Sequence, residues 1–321
     1  MRRLEYVYAA LAAVLLGTSH ASAAGWVVRP EWVRAHEDFL ASPQLRGRGS
    51  ATPDEAVAAA YVASEFEAYG LRPAPGMTGY TQAGQITLPH DKGTPAQTAE
   101  TTNAIGFLPG TDPKAGILLI SAHFDHLGVV NGTIMPGAND DASGTTAVLE
   151  LAHALAAGPP LKRGILFVCY GSEEFGGLGS RYFGEHPPIP LKSIVANLEL
   201  EMIGAQDAKL PTGYLMMTGF DRSDFGQMLR SKGALVTTDP YPELHFFQRS
   251  DNYSLALKGI VAHTVSGWAT VPTYHQPTDT IANLDLAYMT RAIQSLIEPL
   301  RFVANSNEKP HWLPGGQPHE K

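Results

Sequence analysis

Hydrophobic residues in the middle of this chain fall into short, largely apolar runs, separated by stretches where they recur every three or four positions. The runs are Ile117-Leu118-Leu119-Ile120, Ile165 to Tyr170, Ile194 to Leu200, Gly213 to Thr218 and Gly259 to Val265. Between and after them, Thr145 to Ala157, Leu178 to Glu185, Asp221 to Lys232 and Leu284 to Ala304 show helical periodicity. A strand with one wet face alternates apolar and polar residues, whereas an unbroken run belongs to a strand covered on both faces. Covered strands alternating with helices predict an α/β fold. No internal repeat or low-complexity linker divides the chain, so one domain is expected.

The first third reads differently. Glu31 to Ala41 is a short predicted helix. Thr52-Pro53-Asp54-Glu55 is a capping box with proline at the first helical position, and Gly70 closes the helix it starts. Residues 71–100, rich in Gly, Pro and Thr, predict a loop with short edge strands. Residues 1–23 predict an export leader: Arg2 and Arg3, an apolar run from Val7 to Leu16, then Ala21-Ser22-Ala23 as the cleavage site. That run is roughly half the ~20 residues of a membrane span, so no retained anchor is expected and the product is periplasmic or extracellular. The folded domain is expected over 24–305. The remaining 306–321, with Pro310, Pro314, Gly315 and Gly316, are expected to be a loosely ordered polar tail.

Composition narrows the function. The 321 residues are 44% hydrophobic and 17% charged, which suits a globular chain with a sizeable core. The net charge of -8 and the lack of a Lys/Arg run argue against a nucleic-acid partner. The single cysteine, Cys169, lies within an apolar run and is read as a buried small hydrophobe.

Five His and acidic positions, each in its own short motif, carry the chemistry. They are His123 in Ser-Ala-His-Phe-Asp-His, Asp140 in Gly-Ala-Asn-Asp-Asp-Ala-Ser-Gly, Glu174 in Gly-Ser-Glu-Glu-Phe-Gly, Glu201 in Glu-Met-Ile-Gly, and His275 in Tyr-His-Gln-Pro-Thr-Asp-Thr. Four of them follow predicted strands, where open α/β sheets build their sites. Two imidazoles and three carboxylates suit a pair of borderline divalent cations such as zinc. Asp125, two residues from His123, can accept from its far nitrogen and fix its tautomer. Asp140 and Asp141 precede a helix start, so they could equally cap that helix. Glu173 and Glu174 form a like-charged pair at a core boundary, where one acid ligates and the other stays free to move a proton. Glu199 shares a face with Glu201, and the residues alone leave the choice between them open. Asp279 could support His275. Glu150 and His153 make a helical E-x-x-H with no second copy, which reads as a solvated helix face. H-E-x-x-H, G-x-S-x-G and P-loop motifs are absent.

In this order the motifs resemble the co-catalytic di-zinc aminopeptidase family (clan MH metallopeptidases), whose relatives include glutamate carboxypeptidases and glutaminyl cyclases. The resemblance runs from about Glu31 to Asn305 and includes Phe39-Leu40-Ala41-Ser42 and Arg46-Gly47-Arg48-Gly49. It implies a single-domain αβα sandwich with a mixed, mostly parallel central sheet, the zinc exopeptidase fold. It also implies two Zn2+ per chain: His123 and Glu201 on one, Glu174 and His275 on the other, Asp140 bridging. Glu173 falls on the general base and Asp125 on the residue that orients His123. Glu-Met-Ile-Gly stands where the family has Asp-Met-Ile-Gly, which selects Glu201 with a longer side chain. A cis peptide after the bridging aspartate is a further implied feature.

The implied activity is removal of the N-terminal residue from peptides with a free N-terminus, by an exported monomer. Glutaminyl cyclisation is the rival chemistry, disfavoured because Tyr274 stands where cyclases tend to have Trp and all five ligand positions are filled. A non-catalytic ectodomain is the rival class, and metal content with aminoacyl substrates separates the three. The substrate pocket is expected within 205–275, with Phe220, Tyr241, Phe246, Phe247, Tyr253 and Trp268 as candidate linings.

Overall fold

In the computed structural model, which describes residues 26–90 and 95–319, the unbroken apolar runs form the centre of one sheet. Strands β3 (Ile117–His123), β6 (Gly164–Tyr170), β7 (Ile194–Leu200) and β10 (Ala262–Ser266) lie parallel in the order β6-β3-β7-β10. Outside β6 lie β2 (Thr98–Leu108) and β1 (Thr81–Thr87), both antiparallel to their neighbours. Beyond β10 lie β8 (Leu215–Met217), antiparallel to β10, and β9 (Val236–Thr238), parallel to β8. The eight-stranded sheet is therefore mixed with a parallel centre, as the resemblance implies. A two-stranded hairpin, β4 (Val129–Val130) and β5 (Thr133–Ile134), stands apart.

Both faces of the central strands are covered. Ile165, Phe167 and Cys169 of β6 join one core with helices α1 (Pro30–Leu40), α2 (Pro53–Ala68), α3 (Ser143–Ala156) and α7 (Leu286–Asn305). Leu166, Val168 and Tyr170 join a second core with α4 (Leu178–Glu185) and α6 (Asn252–Leu257). A short helix, α5 (Phe225–Arg230), packs on α7. Period-two geometry sends alternate residues to opposite faces, so a strand serving two cores shows no polar alternation. Cys169 is fully buried and its thiol pKa is pushed up by burial, the inert state expected of it.

Four expectations need correction. Residues 71–100 hold the edge strand β1, as expected, and the start of β2, which runs on to Leu108 and is longer than the short strands expected. The helix expected over 221–232 shrinks to α5, and α6 and β9 had no period long enough to read. Glu150 is fully buried rather than solvated, because α3 is enclosed by α1, α2 and α7; its carboxylate lies 3.4 Å from His36, and His153 stacks on Tyr69. The stretch after Asn305 is polar but laid down in order: Trp312 bridges Ser223 and contacts His263, and His311 pairs with Asp224. One indole and a few backbone bonds outweigh the proline-rich composition. The leader expected over 1–23 lies outside the described residues. Among the described residues, no helix is long and apolar enough to cross a membrane.

Candidate metal centre

The four parallel strands end on one edge of the sheet, and the candidate residues gather there. His123 is the last residue of β3, Glu173 and Glu174 follow β6, and Glu201 follows β7. Asp140 sits in the turn that leads into α3, and His275 in the loop after β10. Two groups of donor atoms converge, each within 4.8 Å: His123, Asp140 and Glu201 in one, His126, Asp140, Glu174 and His275 in the other. Asp140 belongs to both. Its Oδ1 lies 3.5 Å from His123 Nε2, and its Oδ2 lies 3.2 Å from His275 Nε2 and 3.7 Å from His126 Nδ1. One carboxylate thus presents an oxygen to each group, the arrangement of a bridging ligand.

The site residues are fixed from behind. Asp125 is buried; it accepts from Ser50 Oγ and from the backbone N–H groups of Glu173 and Glu174. His123 Nδ1 lies 3.2 Å from the Asp125 carbonyl and 3.6 Å from its carboxylate, so backbone and side chain share the orienting role. Asp279 accepts from the backbone N–H groups of Asn139 and Asp140, tying the His275 loop to the bridging aspartate. Asp141, not Asp140, caps α3 by accepting from the Gly144 N–H, and it also accepts from Met202. The peptide between Asp140 and Asp141 is cis, as the resemblance implies. Ser172, Met202 and His275 take left-handed φ values of 53°, 52° and 55° beside the acids and at the histidine itself. Such backbone is costly away from glycine and gathers at functional sites. Glu199, the other candidate on β7, instead accepts from Ser121 below the site.

The electrostatics fit a cation. Burial works against the charged imidazole of His123, yet Asp125, Glu173 and Asp141 outweigh it and push its pKa well up. Burial likewise opposes charge on His275, but Asp140 and Glu174 carry its pKa to about 10. Glu174 is pushed up by burial and pulled down further by His126 and His275, to about 2. Glu173 goes the other way: desolvation dominates and its pKa is well raised. His123 Nε2, His126 Nδ1, Asp140 Oδ2, Glu174 Oε1 and His275 Nε2 are buried without hydrogen-bond partners. Buried polar atoms without partners are costly unless something else is bound, and these five face one another. Imidazole and carboxylate donors suit a borderline divalent ion such as zinc.

His126 is the residue that sequence reasoning missed. Its signal was the second histidine of Ser-Ala-His-Phe-Asp-His, three residues beyond His123. Among the predicted pocket aromatics, Phe246 alone lines the cavity of about 230 Å3 against the metal groups; Met216, Thr218, Thr264, Ala269 and Tyr274 complete that wall. Tyr253 lines a neighbouring cavity of about 680 Å3, and Phe220 and Phe247 line a third on the far side of Phe246.

Comparison with known proteins agrees with this geometry. The family model for peptidase family M28 matches residues 103–299, a span that holds every candidate ligand. The chain belongs to peptidase family M28. Its curated relatives include aminopeptidase YwaD of Bacillus subtilis, 36% identical over 211 residues that make up 61% of this chain and 43% of that protein. This M28 chain spans less than half the length of the curated relatives it matches first. A zinc aminopeptidase structure from Bacillus subtilis superimposes with a TM-score of 0.67 at 16% identity, over 91% of this chain and 98% of that one. A glutaminyl cyclase from Fimbriiglobus ruber gives 0.66 at 18% identity, over 86% and 96%. At these identities the structural matches establish the fold shared with this M28 member.

Proposed function

We propose that this chain is a two-zinc exopeptidase that removes the N-terminal residue of peptides. The observation that carries the reading is the pair of donor groups meeting at Asp140, with Glu173 beside both and a member of neither. His123, Asp140 and Glu201 would hold one zinc; Asp140, Glu174 and His275 would hold the other. Bound there, zinc supplies Lewis acidity and lowers the pKa of coordinated water from 15.7 toward ~7.

The chain's own residues supply the rest. Glu173 Oε2 lies 4.0 Å from His123 Nε2, at the edge of the donor cluster and 14% exposed, so it can take a proton from the attacking water and return it to the leaving amine. Tyr274 stacks on His275 with ring centres 3.8 Å apart, and burial then Asp140 and Glu174 hold its phenol protonated. That leaves an O–H donor on the cavity wall for a substrate carbonyl oxygen.

The relatives named aminopeptidase support this reading, and a centre with two donor groups sharing Asp140 favours it over cyclisation. An exported monomer, matured after Ala23, completes the proposal. N-terminal sequencing of the secreted protein should begin at Ala24. The decisive test is Glu173→Gln assayed on aminoacyl chromogenic substrates alongside elemental analysis. Full metal content with activity down about 10²–10⁴-fold is expected, and wild-type turnover would refute the assignment.

A further inference from the structure

We propose that His126 is a fourth protein donor to the zinc position formed by Asp140, Glu174 and His275. This rests on the two-zinc reading above. A tetrahedral zinc with bonds of about 2.0–2.1 Å has donors roughly 3.3 Å apart. Around the second position the separations are 2.8 Å for His126–Glu174, 3.1 Å for His275–Glu174, 3.2 Å for His275–Asp140 and 3.7 Å for His126–Asp140. They bracket that spacing, with His126 facing one Glu174 oxygen and His275 the other. The two imidazoles meet edge to face, ring centres 5.5 Å apart, so both reach one point without stacking.

The His126 ring is fully buried, and its polar neighbours are the other members of the donor group, Glu174 at 2.8 Å and Asp140 at 3.7 Å from Nδ1. Its backbone is pinned on both sides, donating to the Arg48 carbonyl and accepting from the Ser50 N–H. Gly137 packs against the ring so closely that a Cβ would come 2.5 Å from its Cγ. A buried imidazole held this rigidly is costly unless its ring nitrogens are used, and ligation uses one of them. With His126 that position would have four protein residues around it against three around the other, so it would bind its ion more tightly.

The test is competitive titration of the metal-stripped full chain with Zn2+ against a chromogenic chelator, and with Co2+ followed by its visible spectrum. Wild type should bind two ions with unequal affinity. His126→Asn should weaken the tighter one at least 100-fold, leave the weaker one within threefold, and change the cobalt band that fills first. His126→Asp, which restores a donor, should recover at least tenfold of that loss, which a purely structural histidine would not show. Two ions bound by His126→Asn with wild-type constants and spectrum would overturn the inference and leave the two-zinc reading intact. Failure of wild type to bind two ions would overturn both.

Discussion

Arg48 tests the framework behind the metal centre. It is fully buried and donates to four backbone carbonyls, those of Leu40, Phe124, Pro136 and Gly137, at 2.5 to 2.8 Å. These belong to the end of α1, the residue after His123, and the turn before Asp140. A planar guanidinium serves such a spread of acceptors; an ammonium on a shorter stem reaches at most two of them. Arg48→Lys would leave at least two buried carbonyls unpaired, at about 1–3 kcal/mol each, so a loss of about 2–6 kcal/mol is expected. Against a typical total of about 5–15 kcal/mol that is a large fraction. It corresponds to a fall in Tm on the order of 3–10 °C. Urea unfolding of apo protein gives the number directly, and metal retention on dialysis should fall with it because two of the freed segments carry ligands. A change below about 1 kcal/mol with unaltered metal retention would refute the clamp.

Glu37, fully buried, has its pKa raised to about 8, first by burial, with Asp279 and Asp38 adding to it and Thr146 and Arg48 opposing. A carboxyl whose folded pKa exceeds its unfolded value stabilises the fold in its protonated form. Stability should therefore fall as pH rises from about 4.5 to about 8, by up to ~1.4 kcal/mol per unit, and Glu37→Gln should flatten that slope in urea titrations. Gly137→Ala forces a Cβ to within 2.3 Å of the Asp140 carbonyl at a φ of +58°, so metal binding should weaken at least tenfold in competition titration. Exhaustive chelation should lower the Tm, and Zn2+ should restore it with the logarithm of its concentration above Kd. A Tm indifferent to chelation would count against a metal centre tied into the fold.

Much of the molecule was legible because its signals are local. The unbroken runs of β3, β6 and β7 required covered faces, and Thr52 with Glu55 marked the start of α2. Even there Glu55 does more than cap: its carboxylate accepts from Ser172 and Thr101, bracing the turn that carries Glu173 and Glu174. No local rule reveals that, because the partners are 46 and 117 residues away. Glu150 misled for the same reason, since its helical spacing matches a solvent face and only the neighbouring helices decide otherwise.

The sequence by itself determined the strand cores, the helix starts and the chemical types of the ligands, because periodicity and residue chemistry are properties of short segments. The tertiary structure alone decided which carboxylate of each adjacent pair does what. It turned Asp140 toward the metal groups and Asp141 toward a helix N-terminus, and set Glu201 above the sheet edge with Glu199 below it. It also brought His126 into the centre, through a loop whose direction is fixed by Arg48 and Gly137 rather than by its own residues. Donor convergence depends on the relative placement of β3, β6, β7 and β10, and that placement is set by packing across the whole sheet.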